Sequence, residues 1–476
     1  MFFSRNVSST TKPTGSTPAE RYLAGICRNS FLSLWNYSNP YTADGKDFSK
    51  PKSVGKELCD QLVVCGNHVL LFSDKDCAYP QHSDATISWG RYYQKALWKS
   101  AGQLFRAEKY VRDFPHLLYE DAACTQPLRA TLPPPAAMKI HRILVVHGVH
   151  EECRQLLGGS GSLALDTRIV GRAHYEDATV PVQPFTIGHI CPKKGFVHVF
   201  DDVSLVEVMR CVDTITDFVE YLEDKEQFLS VPGRVVYAAG EEELLACYLQ
   251  NAQEPGRHCF PTLKPNAVVE FEAGEYVRLL QSPHWARRQV ANQVSYAWDE
   301  IIEYITGHYE ADTMHFSSDK SFEANEKALR AMAQESRLSR RVLARKFFEL
   351  IADTPLGKRR TCVTFSELAP GVCFALLVLP PPHAAYPYDR YRKERMQVLL
   401  EYCSAVKLKF FGDVQYIVGI ATDGMAVATG QSFDLLHYDG NEWEEGEREL
   451  AEAVTAHYGY LRNPKATYFE EDEYVE

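Results

Sequence analysis

The dipeptide Gly66-Asn67 constrains this chain most, because it falls between two β-rich apolar runs, 58–65 and 69–72. A Gly/Asn pair between such runs marks a hairpin turn, and a hairpin fixes strand register. Register then decides faces. Side chains alternate along a strand, so Ser73 and Lys75 project one way and Asp74 the other. With Asp60 on the first run and Lys75 closing the second, a carboxylate and an ammonium from neighbouring strands are aimed at one place. Phosphodiester hydrolysis asks for such a pair. It needs a hard cation held by carboxylate oxygens, water activated beside it, and positive charge where the transition state gathers negative charge. The plainer alternative is an edge hairpin whose Asp74-Lys75-Asp76 is a solvated turn.

The flanks agree with the first reading. Residues 18–28 read as a helix carrying Glu20, and 89–111 has the length and apolar pattern of a helix carrying Gln94, Lys95, Lys99, Gln103 and Arg106. In this order of helix, strands and helix, with an Asp on one strand and x-x-Lys on the next, the sequence resembles the PD-(D/E)XK nuclease superfamily. That resemblance covers the first third to half of the chain. It implies a restriction-endonuclease-like domain with a mixed central sheet and a DNA substrate, with Mg2+ (or Mn2+) as cofactor. It also implies a role in defence against foreign DNA. Catalytic candidates are Asp60, Lys75 and Glu57; metal candidates are Asp60, Glu20 and Asp74; Lys95, Lys99 and Gln103 are substrate-binding candidates. The family's acid-x-Lys has Ser73 at its acid position, so a carboxylate from elsewhere must stand in. Glu20, Glu57 and Glu108 are the choices. Asp74 serves only if the strand ends or bulges there, and Glu57 only if it precedes the pairing, being three residues from Asp60. The alternative is a non-catalytic nucleic-acid- or protein-binding module on a degenerate nuclease fold.

Charge is distributed unevenly. The net charge is −12, yet residues 1–130 hold 16 Lys and Arg against 12 Asp and Glu. Phosphate binding needs a local basic surface, not a basic whole, so the amino-terminal region is the nucleic-acid candidate. The acidic remainder suits a protein partner or a homo-oligomer contact. Thirteen cysteines without a CxxC argue against a zinc ribbon and fit reduced thiols in a cytoplasm. No apolar run reaches the roughly 18 residues of a membrane span.

At 476 residues more than one domain is expected. The sequence predicts an α/β chain: a flexible tail at 1–17, a nuclease-like domain at 18–230, a helix-rich region at 231–355, and a small mixed α/β domain with an acidic tail at 356–476. Strands are predicted at 140–146, 196–200, 372–379 and 416–421, and helices at 205–228, 285–308, 322–351 and 391–403. Arg337, Arg341 and Arg345 share one helical face, which reads as solvated or as a phosphate stripe. His147, His150 and Cys153 read as loop residues or as part of a zinc site lacking a fourth ligand. The tyrosines of 386–392 stack on bases or pack a loop.

Overall fold

Alternation around the Gly66 turn builds the centre of the first of two compact units, Thr11–Ala286 and Arg287–Glu476, into which the chain divides. The computed structural model describes residues 15–50, 52–176, 181–311, 322–355, 357–383, 386–424, 432–462 and 471–474. The chain is mixed α/β, with several mixed sheets.

The first unit begins with α1 (Pro18–Phe31), β1 (Asn36–Ser38), β2 (Tyr41–Thr42), β3 (Lys56–Glu57), β4 (Gln61–Cys65) and β5 (His68–Lys75). Next come α2 (Ala85–Tyr92), a π-helical segment (Tyr93–Trp98), α3 (Lys99–Asp113), β6 (Leu118–Tyr119) and β7 (Lys139–Val146). They are followed by α4 (His150–Leu157), β8 (Ala164–Val170), β9 (Thr186–His189), β10 (His198–Asp201), α5 (Ser204–Cys211) and α6 (Ile215–Leu229). The unit closes with β11 (Val235–Ala238), α7 (Glu241–Gln250), β12 (Ala252–Glu254), β13 (Arg257–His258), β14 (Val268–Phe271) and α8 (Glu275–Gln281).

The expected hairpin is present: β4 and β5 pair antiparallel from Cys65↔His68 to Gln61↔Phe72, with Gly66 at φ +59° in the turn. The sheet runs β1-β4-β5-β7-β10, its first three strands antiparallel and its last three parallel. One face buries Leu62, Val64, Val69 and Leu71 against Trp89, Tyr93, Leu97 and Leu104 of the α2–α3 run. The other packs Phe72 against Phe31 of α1 and Phe218 of α6. Each such side chain contributes about 1.5–3 kcal/mol on burial.

Several predictions need correction, among them the first hairpin strand, which begins at Gln61 and not at residue 58. The helix expected at 205–228 is two, α5 and α6, because the Thr214 hydroxyl accepts from the Asp217 N–H and starts a new helix. The strand at 196–200 begins only at His198. The break expected near residue 230 is not where the chain divides: β11 pairs with both β8 and β14, which holds 235–271 in the first unit.

The second unit contains α9 (Pro283–Asn292, which starts just before it), α10 (Tyr296–Glu310), α11 (Phe322–Ala333) and α12 (Arg337–Ala352). Then follow β15 (Arg360–Phe365), β16 (Val372–Val378), α13 (Tyr388–Lys409), β17 (Tyr416–Thr422), β18 (Phe433–Asp439) and α14 (Glu447–Tyr458). Its sheet runs β15-β16-β17-β18, with β16 and β17 parallel across α13 and antiparallel strands at both edges. The long helices expected at 285–308 and 322–351 are each broken, the second by Ser336, whose hydroxyl caps α12. The arginine face of α12, expected to be solvated or a phosphate stripe, is ion-paired within the fold: of the three expected on it, Arg337 and Arg341 are buried, and Arg345, 41% exposed, pairs with Glu471 at 2.5 Å. Arg337 and Arg340 are buried on Asp299, and Arg341 is buried on Glu471 and the Asp472 carbonyl. The acidic segment is folded in as well, with Glu473 paired to Arg288. Residues 470, 475 and 476 of that predicted tail, and the tail at 1–14, lie outside the described residues.

Candidate functional site

Asp60 sits one residue ahead of β4. Its N–H donates to the Phe72 carbonyl at 3.0 Å, and its own carbonyl accepts from Asn39 at 3.0 Å. Alternation from Leu62 and Leu71 puts Asp60, Ser73 and Lys75 on the α3 side of the sheet. There they line one cleft of about 340 Å3 with Glu57, Lys56, Thr42, Gln103, Arg106 and Tyr110. Strand ends thus deliver the acid and the base, and α3 supplies the opposite wall.

Burial pushes the Asp60 carboxyl up to about 7. The Asp74 N–H, donating to Oδ2 at 2.6 Å, opposes that rise, while the charges of Glu57, Glu20 and Asp74 add to it. Lys75 is half-buried in the same cleft and its ammonium makes no ion pair among the described residues. A carboxyl raised by burial and by neighbouring acids, beside a cation without an ion pair, is a combination that recurs at functional sites.

Asp74 is turned to the opposite face. Its side chain is 1% exposed, and Oδ1 meets His147 Nε2 at 2.5 Å. Gly148, at φ +79°, lets the chain after His147 pass the Cys77 carbonyl, which a Cβ would approach to 2.8 Å. Burial disfavours the His147 cation, but the hydrogen bond and charge of Asp74 outweigh it and raise the His147 pKa. Asp74 borders the cleft beside Asp60, but its Oδ1 is committed to His147.

Glu20 and Glu57 are joined by a residue that carried no signal in the sequence. Asn39 Nδ2 donates to Glu57 Oε1 at 2.8 Å and to Glu20 Oε2 at 3.1 Å, from a backbone at φ +48°. Such a conformation is costly for most residues and tolerated by Asn. Glu20 also accepts from the Ser16 and Thr17 N–H groups, and Thr17 caps Glu20 in return. Burial works against its ionisation, and these bonds more than offset it, lowering the Glu20 pKa. Its first duty is a capping box, and Thr17-Pro-Ala-Glu20 was the signal for one. Glu108 is likewise committed, to Arg142 at 2.6 Å and Arg112 at 3.1 Å.

Of the substrate-binding candidates, Gln103 lines the cleft, together with Arg106. Lys95 and Lys99 are exposed on the same helical run but are not among the residues lining the cleft. His147, His150 and Cys153 are not brought together on a metal: His147 is on Asp74, and the Cys153 thiol donates to the Ser162 carbonyl at 3.1 Å.

The residues present fit a cation that keeps much of its water. Mg2+ is commonly held by only one or two carboxylates with its remaining positions hydrated, and Asp60 with Glu57 supplies that number. Among the described residues Asp60 and Glu57 belong to no group of three or more His, Cys, Asp or Glu side chains whose ligand atoms all lie within 4.8 Å of one another. No helix among the described residues is long and apolar enough to cross a membrane. No protein-family model, curated protein or solved structure matches the chain.

Proposed function

We propose that the first unit is a divalent-metal-dependent nuclease of the PD-(D/E)XK type, cutting DNA. The observation that carries the reading is the cleft in which Asp60 and Lys75, from adjacent strands, meet beside Glu57, with Asp60 raised to about 7 by burial and, to a smaller extent, by neighbouring acids whose charge a cation would offset. The element order adds support: a helix, three antiparallel strands, a helix, then a strand parallel to the third. Asp60 and Glu57 hold Mg2+ or Mn2+, and Asn39 orients the Glu57 carboxylate. The bound ion supplies Lewis acidity and lowers the pKa of attacking water. Lys75 stabilises charge on the attacked phosphate, and Gln103, Arg106 and Lys56 contact the flanking backbone.

A second reading, a binding module without catalysis, is favoured by Ser73, which takes the family's acid position at 7% exposure. The test is incubation of the whole chain with linear, plasmid and single-stranded DNA and with RNA, with Mg2+, Mn2+ or EDTA. Cleavage that needs the cation and is lost in Asp60→Ala and Lys75→Ala is expected. Binding without cleavage under every condition replaces the nuclease with the binding module.

A further inference from the structure

A second cluster lies on the opposite face of the same sheet. His68 opens β5, and His141 stands on the neighbouring β7, two residues beyond the Lys139 that pairs with His68. Their rings stack with centroids 5.4 Å apart, and His68 Nδ1 lies 3.1 Å from His141 Nε2. Glu223 reaches down from α6 to 3.9 Å from His68 Nδ1, and all three ligand atoms lie within 4.8 Å of one another. His198 of β10 continues the row, its ring 6.4 Å from that of His141, and its Nδ1 is buried without a partner.

We propose that His68, His141 and Glu223 form a zinc site, separate from the cleft, that pins α6 to the sheet. Two imidazoles and a carboxylate are the donor set of three-ligand zinc centres, whose fourth position holds water. The spacing suits the ion: with Zn–N bonds of roughly 2.0–2.1 Å, two nitrogens on a tetrahedral zinc are about 3.3 Å apart. The 3.1 Å seen here needs almost no adjustment. Burial pulls His141 down to about 3 and also lowers His68, so both rings are uncharged at neutral pH. Each neutral imidazole has one lone pair, and zinc takes the place of the proton now shared between His68 Nδ1 and His141 Nε2, each ring keeping its proton on the other nitrogen. Only Glu223 must move, and its side chain is 40% exposed. Lys139, whose ammonium is 3.0 Å from Glu223 Oε1, occupies the carboxylate in the meantime and competes with the ion.

The experiment is equilibrium dialysis of the EDTA-stripped whole chain against Zn2+ alone, with metal content and melting temperature measured on each sample. Wild type is expected to retain one more zinc than His68→Ala/Glu223→Gln and to gain thermal stability from it. Both altered side chains are part-exposed, so the apo variant keeps the wild-type far-UV spectrum. Lys139→Ala is expected to bind zinc more tightly, because the competing ammonium is gone. Asp60→Asn retains the ion, which separates this site from the cleft. Equal zinc content in wild type and the double variant, as thiol binding alone would give, overturns the proposal. So does absence of retention in wild type, or a Lys139→Ala chain that binds no tighter.

Discussion

Replacing Asp60 by Asn is expected to make the metal-free protein more stable while destroying its activity. Asp60 titrates near 7 in the folded chain against 3.8 for the free side chain, so the folded state binds the proton more tightly than the unfolded one. Stability therefore falls as pH rises from about 4 to about 7 and stays low above that. At about 1.4 kcal/mol per pKa unit, the ionised carboxylate costs up to about 4 kcal/mol above pH 7, and about 1–2 kcal/mol after local relaxation. Asn removes the charge but keeps an oxygen for the Asp74 N–H. Urea unfolding in EDTA at about pH 8 should show Asp60→Asn the more stable chain, with the gap closing as pH falls toward 4. Mg2+ should then raise the wild-type midpoint and leave the variant's unchanged. A variant no more stable than wild type at pH 8, or a gap independent of pH, refutes the account of Asp60 as a buried carboxyl raised to about 7.

Lys75→Ala should lower cleavage by about 100–1000-fold, the scale of removing one transition-state donor, with DNA binding largely kept; single-turnover cleavage and a filter-binding assay separate the two. Asp74→Ala should be milder on chemistry but should destabilise the fold, because it strips His147 of its partner. The His147 pKa is raised in the fold, so the stability from this pair is full below about 6.5 and fades as pH climbs through the raised value. A His147→Ala chain should converge on wild-type melting temperature at alkaline pH. Asp299→Ala should cost about 3–5 kcal/mol, since it strands the buried guanidiniums of Arg337 and Arg340, and chemical denaturation of the second unit reads it directly.

The hairpin was legible in the sequence because its turn, its two apolar runs and its alternation are all local. The face shared by Asp60, Ser73 and Lys75 was legible for the same reason, since alternation along two short strands decides it. What escaped was non-local. Asn39 has meaning only through Glu20 and Glu57, which sit 19 residues before and 18 after it. The pairing of Asp74 with His147 spans 73 residues and turned a metal candidate into a structural one. Arginines on α12 looked solvated because their acids lie about 40 and 130 positions away, at Asp299 and Glu471. Helix breaks at Thr214 and Ser336 were written in the sequence as hydroxyl caps, but apolar periodicity running through them hid the stop.

The parallel pairing of β5 with β7 also has a kinetic consequence. Residues 68 and 139 must meet for it, whereas β4 meets β5 across a two-residue turn. Loop-closure entropy grows with the logarithm of length, so the distant pairing carries about 3 kcal/mol more of that entropy than the near one. Asp60 and Lys75 are thus brought together by the rapid, local step of folding. The strand that leads into His147, and with it the buried partner of Asp74, arrives by the slow one. Substitutions that weaken β7 should slow that second step and leave the local hairpin pairing of Asp60 and Lys75 unaffected.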